Sequence, residues 1–133
     1  MSIEDTNIAT VRALIAAIES FDVETAARLY HPDAVQTEYP NRLYPKGQVR
    51  TAETMMRDLP RGRHVLRSQR YPIETILAAG DKVVVETRWE GVLNVPLGAL
   101  QPGDTMVAHI CMVFTLEDGR VIAQKNYDCY EAF

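Results

Sequence analysis

Apolar residues recur at helical spacing over the first part of the chain. The face that they form consists of Ile8, Val11, Ile15 and Ile18. Ser2 or Thr6 can cap the start of this helix, and Asp22 is a good N-cap for a second, shorter helix through Tyr30. That second helix should end at His31 because the residue before a proline avoids helical geometry. The pattern predicts a hairpin of two helices.

A third helix is predicted after the turn-rich segment 33–47. It should run over 49–59, and its apolar positions are Val49, Ala52, Met55, Met56 and Leu59. Pro60 lacks an amide proton and is expected to stop it.

Beyond Gly62 the apolar residues follow a period of two, which is typical of strands. The strand segments are 64–77, bent at Pro72, then 82–93, 106–116 and 121–130. Three helices followed by a meander of strands predict an α+β fold. We expect a cone-shaped α+β barrel, in which the three N-terminal helices pack on a curved, mainly antiparallel sheet and the mouth of the cone is a pocket.

Asp118-Gly119, between the last two strands, is a dipeptide that favours a two-residue type I′ hairpin turn. If this turn sets the register, His109 lies directly opposite Asp128 on the same face of the sheet. Opposed side chains have Cβ atoms about 4.5–5.5 Å apart, so the carboxylate could orient and charge-stabilise the imidazole. The alternative is an exposed cross-strand ion pair.

Length and charge narrow the classes of function. A chain of 133 residues is expected to form one domain, residues 1–133. The formal net charge is −4 and basic residues cluster only in 61–70, which argues against nucleic acid as a partner. The acidic start lacks the features of a signal peptide and no apolar run reaches membrane-spanning length, so we expect a cytoplasmic protein with no membrane partner. Cys111 and Cys129 are expected to be free thiols in a reducing compartment.

No sequence motif indicates a cofactor. His31, His64 and His109 lack metal-ligand spacing, and we expect no metal. The chain also has no glycine-rich nucleotide loop and no nucleophile elbow. Cofactor-free chemistry is the remaining expectation.

Four stretches of the chain carry a family resemblance. They are Ser20-Phe21-Asp22, Tyr30-His31-Pro32-Asp33-Ala34-Val35, Arg88-Trp89-Glu90-Gly91 and Glu117-Asp118-Gly119-Arg120-Val121. Together they resemble the SnoaL-like branch of the nuclear-transport-factor-2-like superfamily over nearly the whole chain. The superfamily includes polyketide cyclases, ketosteroid isomerases, epoxide hydrolases and non-catalytic binding modules, so the activity must be argued from residues. The resemblance also implies a homodimer formed through the outer face of the sheet.

Comparison with ketosteroid isomerases implies a carboxylate at Glu38, in the position of their general base. The same gapless count places Leu14 where those enzymes have an oxyanion-hole tyrosine, and the range 110–112 where they have a protonated aspartate. None of these residues is a strong hydrogen-bond donor, and one such donor is typically worth about 3–4 kcal/mol. Steroid isomerisation of the usual kind is therefore not expected.

SnoaL-type cyclases and limonene-epoxide-hydrolase-like enzymes depend on an acidic residue of the last strand, which Asp128 matches. The hydrolases also use an Arg-x-Asp pair, to which Arg88-Trp89-Glu90 is similar. Alternation along this strand favours Trp89 on the core side, with Arg88 and Glu90 facing away. The alternative is that Arg88 and Glu90 face the cavity.

The leading hypothesis is a cofactor-independent acid/base enzyme, of the cyclase or isomerase type, that acts on a small hydrophobic molecule. Asp128 would be its general acid or base, His109 the partner of Asp128, and Glu38 a second carboxylate at the pocket mouth. The residues expected to contact substrate, or else to be plain core, are Tyr30, Tyr39, Met56, Trp89 and Met112. The alternatives are a non-catalytic ligand-binding or dimerisation module and an epoxide-hydrolase-like hydrolase. An enclosed Asp128 would favour an enzyme because burial raises the pKa of a carboxyl group.

Overall fold

Two N-terminal helices form the predicted hairpin in the computed structural model, which describes all 133 residues. Helix α1 spans Ile3–Glu19 and helix α2 spans Val23–Leu29. Ser2 Oγ accepts a hydrogen bond of 3.0 Å from the Asp5 amide, and Asp22 Oδ1 accepts one of 3.1 Å from the Thr25 amide. Both side chains satisfy amides that have no partner within their own helix.

Helix α3, Ala52–Val65, begins later and ends later than the sequence predicts. Thr51 caps it, and the helix continues through Pro60. The predicted stop at Pro60 is wrong because a proline removes one backbone hydrogen bond without preventing the flanking turns from forming. Contacts made by Arg63 hold the last turn: its guanidinium donates a hydrogen bond of 3.0 Å to the Ser20 carbonyl and lies 4.8 Å from the Phe21 ring centroid.

Seven strands form one curved sheet that is antiparallel except at one pair, which confirms the predicted α+β class. The strands are β1 Tyr30–Glu38, β2 Gln48–Thr51, β3 Leu66–Arg70, β4 Ile73–Ala79, β5 Lys82–Leu93, β6 Thr105–Glu117 and β7 Arg120–Tyr130. Their order is β2-β1-β7-β6-β5-β3, and β4 pairs with the other half of the same edge of β5. The one parallel pair is β1 with β7. Strand β1 is missing from the sequence prediction, which assigned most of it to turns.

The β6–β7 hairpin has the predicted turn but not the predicted register. Asp118 and Gly119 have φ angles of 52° and 76°, as a type I′ turn requires. The first cross-strand pairs beyond the turn follow the expected register. A β-bulge then leaves Ile122 without a partner, because Leu116 pairs with Val121 whereas Thr115 pairs with Ala123.

This bulge moves His109 and Asp128 to opposite faces of the sheet, so the predicted pair is wrong. His109 pairs with Cys129, and Asp128 pairs with Ile110. A shift of one residue exchanges the two faces of a strand. His109 is exposed on the outer face, where its Nε2 lies 2.9 Å from a carboxylate oxygen of Glu131.

The core lies between the three helices and the concave face of the sheet. Its largest fully buried side chains include Phe114, Leu14 and Leu93. Four amide and carboxylate side chains of the sheet are also buried, namely Gln36 and Glu38 on β1, Gln69 on β3 and Gln124 on β7. Polar side chains need hydrogen-bond partners when they are buried, so a group of them in the core calls for an explanation. We therefore consider the region around them a candidate functional site. None of the helices is long and apolar enough to cross a membrane.

Candidate active site

A cavity of about 260 Å³ lies between the helices and the concave face of the sheet. The helical wall is mainly apolar and includes Ile15, Ile18, Met55, Met56 and Leu59. The opposite wall, from β1, β2 and β7, is polar. We call this cavity the chamber.

The polar wall owes its composition to the bulge at Ile122. After the bulge, every second residue of β7 faces the chamber, namely Gln124, Asn126, Asp128 and Tyr130. The Tyr30 hydroxyl donates a hydrogen bond of 2.5 Å to Gln124 Oε1, and Gln124 Nε2 donates one of 3.0 Å to Asn126 Oδ1. These bonds fix the orientation of the amide side chains at the chamber wall.

Asp128 is the least satisfied polar group of the site. Its Oδ1 atom is buried and has no hydrogen-bond partner. Burial raises the pKa of Asp128 to about 7; the negative charge of Glu38 adds to the rise, and the positive charge of Arg50 opposes it. Near neutral pH this carboxyl group therefore exists in both protonation states, as a general acid or base requires.

Glu38 belongs to a bonded polar cluster, in contrast to Asp128. Its carboxylate accepts hydrogen bonds of 2.8 Å from Asn41 Nδ2 and 3.0 Å from Gln48 Nε2, and lies 3.9 Å from the Arg50 guanidinium. Arg50 also donates to Gln36 Oε1, at 3.0 Å from its Nε atom. With its oxygens occupied in this way, Glu38 influences Asp128 through its charge, which raises the pKa of Asp128.

Two tyrosines give the chamber free hydroxyl groups. Tyr71 and Tyr130 both line the chamber, and Tyr30 is the only chamber tyrosine whose hydroxyl bonds to another protein group. Burial raises the pKa values of Tyr71 and Tyr130, and the charge of Asp128 raises both further. Both hydroxyls therefore stay protonated near neutral pH and can donate hydrogen bonds to a ligand.

Trp89 lies where the strand alternation predicts, buried under the helices. Its Nε1 donates a hydrogen bond of 3.0 Å to Gln69 Oε1. Gly91 leaves room for the ring, because a Cβ atom there would lie 2.6 Å from two of its carbon atoms. Arg88 and Glu90 bond to each other and, unlike Trp89, do not line the chamber. The predicted orientation of this strand is confirmed, and the alternative with Arg88 and Glu90 in the pocket is wrong.

The structure brings together most of the site residues expected from the sequence. Those that line the chamber are Glu38, Asp128, Tyr30, Met56, Trp89 and Met112. Tyr39 does not, and its ring instead stacks on exposed Tyr127 with centroids 4.8 Å apart. His109 lies on the outer face. The catalytic and binding roles of these residues stay predictions.

Sequence reasoning missed several polar residues that line the chamber, namely Gln36, Arg50, Asp58, Gln69, Tyr71, Gln124, Asn126 and Tyr130. Those on β7 are separated from Asp128 by an even number of residues and so lie on the same face of the strand. Alternation along that strand was therefore the signal that could have found them. Gln36 lies on β1, a strand that the sequence did not indicate. No group of His, Cys, Asp and Glu side chains is arranged to hold a metal ion.

Comparison with known proteins gives a family and a fold. The model of the SnoaL-like domain matches residues 11–124. IdmH from Streptomyces antibioticus, provisionally assigned as a polyketide cyclase, is 21% identical with a TM-score of 0.77, over 92% of this chain and 91% of that chain. A limonene-epoxide-hydrolase-like (LEH-like) epoxide hydrolase of M. tuberculosis is 21% identical with a TM-score of 0.74, over 98% and 86%.

A third similar structure has a ketosteroid-isomerase-like fold and comes from Catenulispora acidiphila. It is 15% identical with a TM-score of 0.73, over 89% of this chain and 83% of that chain. No curated protein has a sequence that matches this chain. Identities this low establish the fold alone, and the chemistry must follow from the chamber residues.

Proposed function

The chain belongs to the SnoaL-like domain family, and from this premise we propose that it is a cofactor-independent acid/base enzyme acting on a small hydrophobic carbonyl compound. One observation carries the proposal: the unpartnered, buried oxygen of Asp128 faces a largely apolar chamber. A carboxyl group with its pKa raised to about 7 can both accept and return a proton near neutral pH.

The proposed reaction begins with proton transfer. The Asp128 carboxylate removes a proton from the carbon next to the substrate carbonyl, and the electron pair of the broken C–H bond moves into an enolate. The hydroxyls of Tyr71 and Tyr130 donate hydrogen bonds to the enolate oxygen. These two donors take the place of the oxyanion-hole donors of ketosteroid isomerases, which this chain lacks at Leu14 and in the range 110–112. They are neutral donors and keep their own protons.

Protonated Asp128 then completes one of two reactions. Where the enolate is conjugated with a C=C bond of the substrate, returning the proton to the far carbon of that bond shifts the double bond and gives an isomer. Alternatively, the enolate carbon attacks a second carbonyl of the same substrate, a C–C bond forms, and Asp128 protonates the resulting alkoxide, which is an aldol cyclisation. Atoms and charge balance in both cases without a cofactor.

In this scheme the other chamber residues either adjust the proton affinity of Asp128 or contact the substrate. Glu38 raises the proton affinity of Asp128 through its negative charge, while Arg50 limits that effect. Tyr30, Met56, Trp89 and Met112 contact the substrate. No observation favours epoxide hydrolysis through Arg88 and Glu90, since both lie outside the chamber.

Exchange of α-hydrogen for deuterium tests the reaction class without knowledge of the natural substrate. We would incubate 1-tetralone with the protein in deuterium oxide and follow its α-proton NMR signal. The native protein should accelerate exchange above the buffer rate, and Asp128→Asn should lose about 10²-fold or more of the enzymatic rate. His109→Gln, on the outer face, is the matched control and should exchange at the native rate.

The tyrosine donors have their own readout in the same assay. Tyr71→Phe and Tyr130→Phe should each slow exchange by about 10²-fold while leaving the pH midpoint of the rate near that of the native protein. If 1-tetralone binds, as shown by perturbed protein NMR signals, but exchanges only at the buffer rate, the chain is a binding module and the enzymatic proposal is wrong.

We also propose that the protein forms a homodimer through the outer face of the sheet. Apolar side chains are exposed there at 41% for Val35, 67% for Val49 and 44% for Tyr127. A solution mass of about twice 15.0 kDa would support the dimer, and Tyr127→Glu should then shift the protein towards the monomer. The two free thiols, Cys111 and Cys129, are compatible with a reducing compartment, and we propose the cytoplasm on that basis.

A further inference from the structure

A second cavity, of about 510 Å³, lies next to the chamber. Its mainly apolar walls come from the end of α3, from the loop between β5 and β6, and from the segment before β2. Its apolar lining includes Leu43, Val65, Leu93, Val95, Leu97 and Met106. We call it the vestibule.

The chamber and the vestibule share part of their walls, and we call this shared wall the neck. Arg50, Asp58, Trp89 and Tyr130 line both cavities. In the neck the rings of Trp89 and Tyr130 are edge-to-face, with centroids 6.4 Å apart and planes at 85°. The neck also contains Arg50 and Asp58, whose charged atoms approach to 3.9 Å.

These walls select for a flat, apolar molecule at the neck. Aromatic surface favours contact with another ring, by about 0.5–1.5 kcal/mol beyond the area buried. The planar guanidinium of Arg50 can lie against the face of a ligand ring or donate a hydrogen bond to an oxygen substituent. A branched aliphatic chain would make neither contact.

The volume of the chamber and the exposure of the vestibule both favour a ligand site larger than the chamber alone. Small-molecule sites commonly measure about 300–1,000 Å³, and the chamber alone, at about 260 Å³, lies below this range. The vestibule also leaves apolar surface open to water, since Val65 and Tyr44 are each 43% exposed. Concave apolar surface of this kind is characteristic of ligand grooves.

We propose that the vestibule is a second subsite that binds the distal end of an elongated, flat and largely apolar substrate, whose reacting carbonyl lies in the chamber beside Asp128. This subsite extends the proposed function by naming the class of substrate. The orientation of the substrate, with its carbonyl beside Asp128, rests on the proposed function. The preference for a long ligand does not rest on it, because binding measurements alone can show that preference.

Two ligands that differ only in length test this proposal. We would measure the dissociation constants of 2-naphthol and 6-phenyl-2-naphthol by titration calorimetry. Leu97→Trp and Val65→Trp add bulk to the vestibule, whereas Ile3→Trp adds similar bulk at an exposed position at the start of α1 and is the matched control. Circular dichroism would check that each variant is folded, and either vestibule variant suffices if the other is not.

The longer ligand should bind the native protein at least about tenfold more tightly than 2-naphthol. Each folded vestibule variant should weaken its binding by about tenfold or more and leave 2-naphthol within about twofold, while Ile3→Trp changes neither. Equal effects on both ligands, or no effect on the longer one, would overturn the proposal. If 1-tetralone does not exchange but the dependence on length persists, the enzymatic function fails and the subsite stands.

Discussion

Asp128→Asn keeps the shape of the chamber wall and removes a carboxylate whose charge the fold disfavours. The pKa of this group is about 7 in the native protein, against an ordinary value of 3.8. Between these two pH values the native state binds more protons than the unfolded state. The free energy of unfolding should therefore fall as pH rises through this window, and the destabilisation should be complete above about pH 7.

The size of the effect follows from the two pKa values. With 3.8 for the unfolded chain and about 7 for the native state, Asp128 ionisation destabilises the native protein by about 2 kcal/mol near pH 5 and about 4 kcal/mol near pH 8. An asparagine has no such pH dependence. Relative to the native protein, Asp128→Asn should therefore gain about 2–3 kcal/mol of stability between these two conditions, whatever constant offset the amide adds.

Urea denaturation of both proteins near pH 5 and near pH 8 measures this gain, with fluorescence of the single tryptophan as the signal. Comparing the two proteins cancels the titration of all other groups to first order. Glu74→Gln, an exposed carboxylate-to-amide change on β4, is the matched control and should show no comparable gain. An equal stability difference between native and Asp128→Asn protein at both pH values would refute the reasoning.

Three further changes test the rest of the site. Glu38→Gln removes the negative charge that helps raise the pKa of Asp128, so that pKa should fall, and the pH midpoint of deuterium exchange or the carboxyl NMR titration should move to lower pH. Gly91→Ala places a Cβ atom 2.6 Å from the Trp89 ring and should destabilise the fold by about 1–3 kcal/mol in urea denaturation, with a shift in tryptophan fluorescence. His109→Gln should change stability by no more than about 0.5 kcal/mol and leave the Asp128 titration unchanged, whereas a shifted titration would return His109 to the site.

Local patterns predicted most of the helices and strands because the forces behind them act between residues close in sequence. The caps at Ser2 and Asp22, the spacing of apolar residues in α1 and the turn at Asp118-Gly119 all satisfy requirements of the nearby backbone. Strand β5 begins and ends where alternation predicts, and Trp89 lies on its core side. The sequence predicts that α3 stops at Pro60, and this is wrong. The last turn of α3 is held by contacts with Ser20 and Phe21, which are distant in sequence and which a local pattern does not reveal.

The register of the last hairpin shows where local reasoning ends. The turn alone predicts which residues face each other, and it is correct for the first pairs, up to the bulge at Ile122. Strand β7 also pairs in parallel with β1, and along this border the β1–β7 register is irregular as well. A strand bonded on both sides must satisfy two registers at once, and one extra residue exchanges its two faces.

The sequence by itself determined the α+β architecture, the alternation along β5 and, through family resemblance, the candidate carboxylates Glu38 and Asp128. Only the tertiary structure decided which groups surround Asp128. Parallel pairing brings Glu38 beside Asn126 across a separation in sequence that no periodicity spans, and the bulge turns Asp128 inward and leaves His109 outside. The physical reason is that a pKa near 7 arises from burial and from neighbouring charges in space, which depend on long-range strand pairing rather than on adjacent residues.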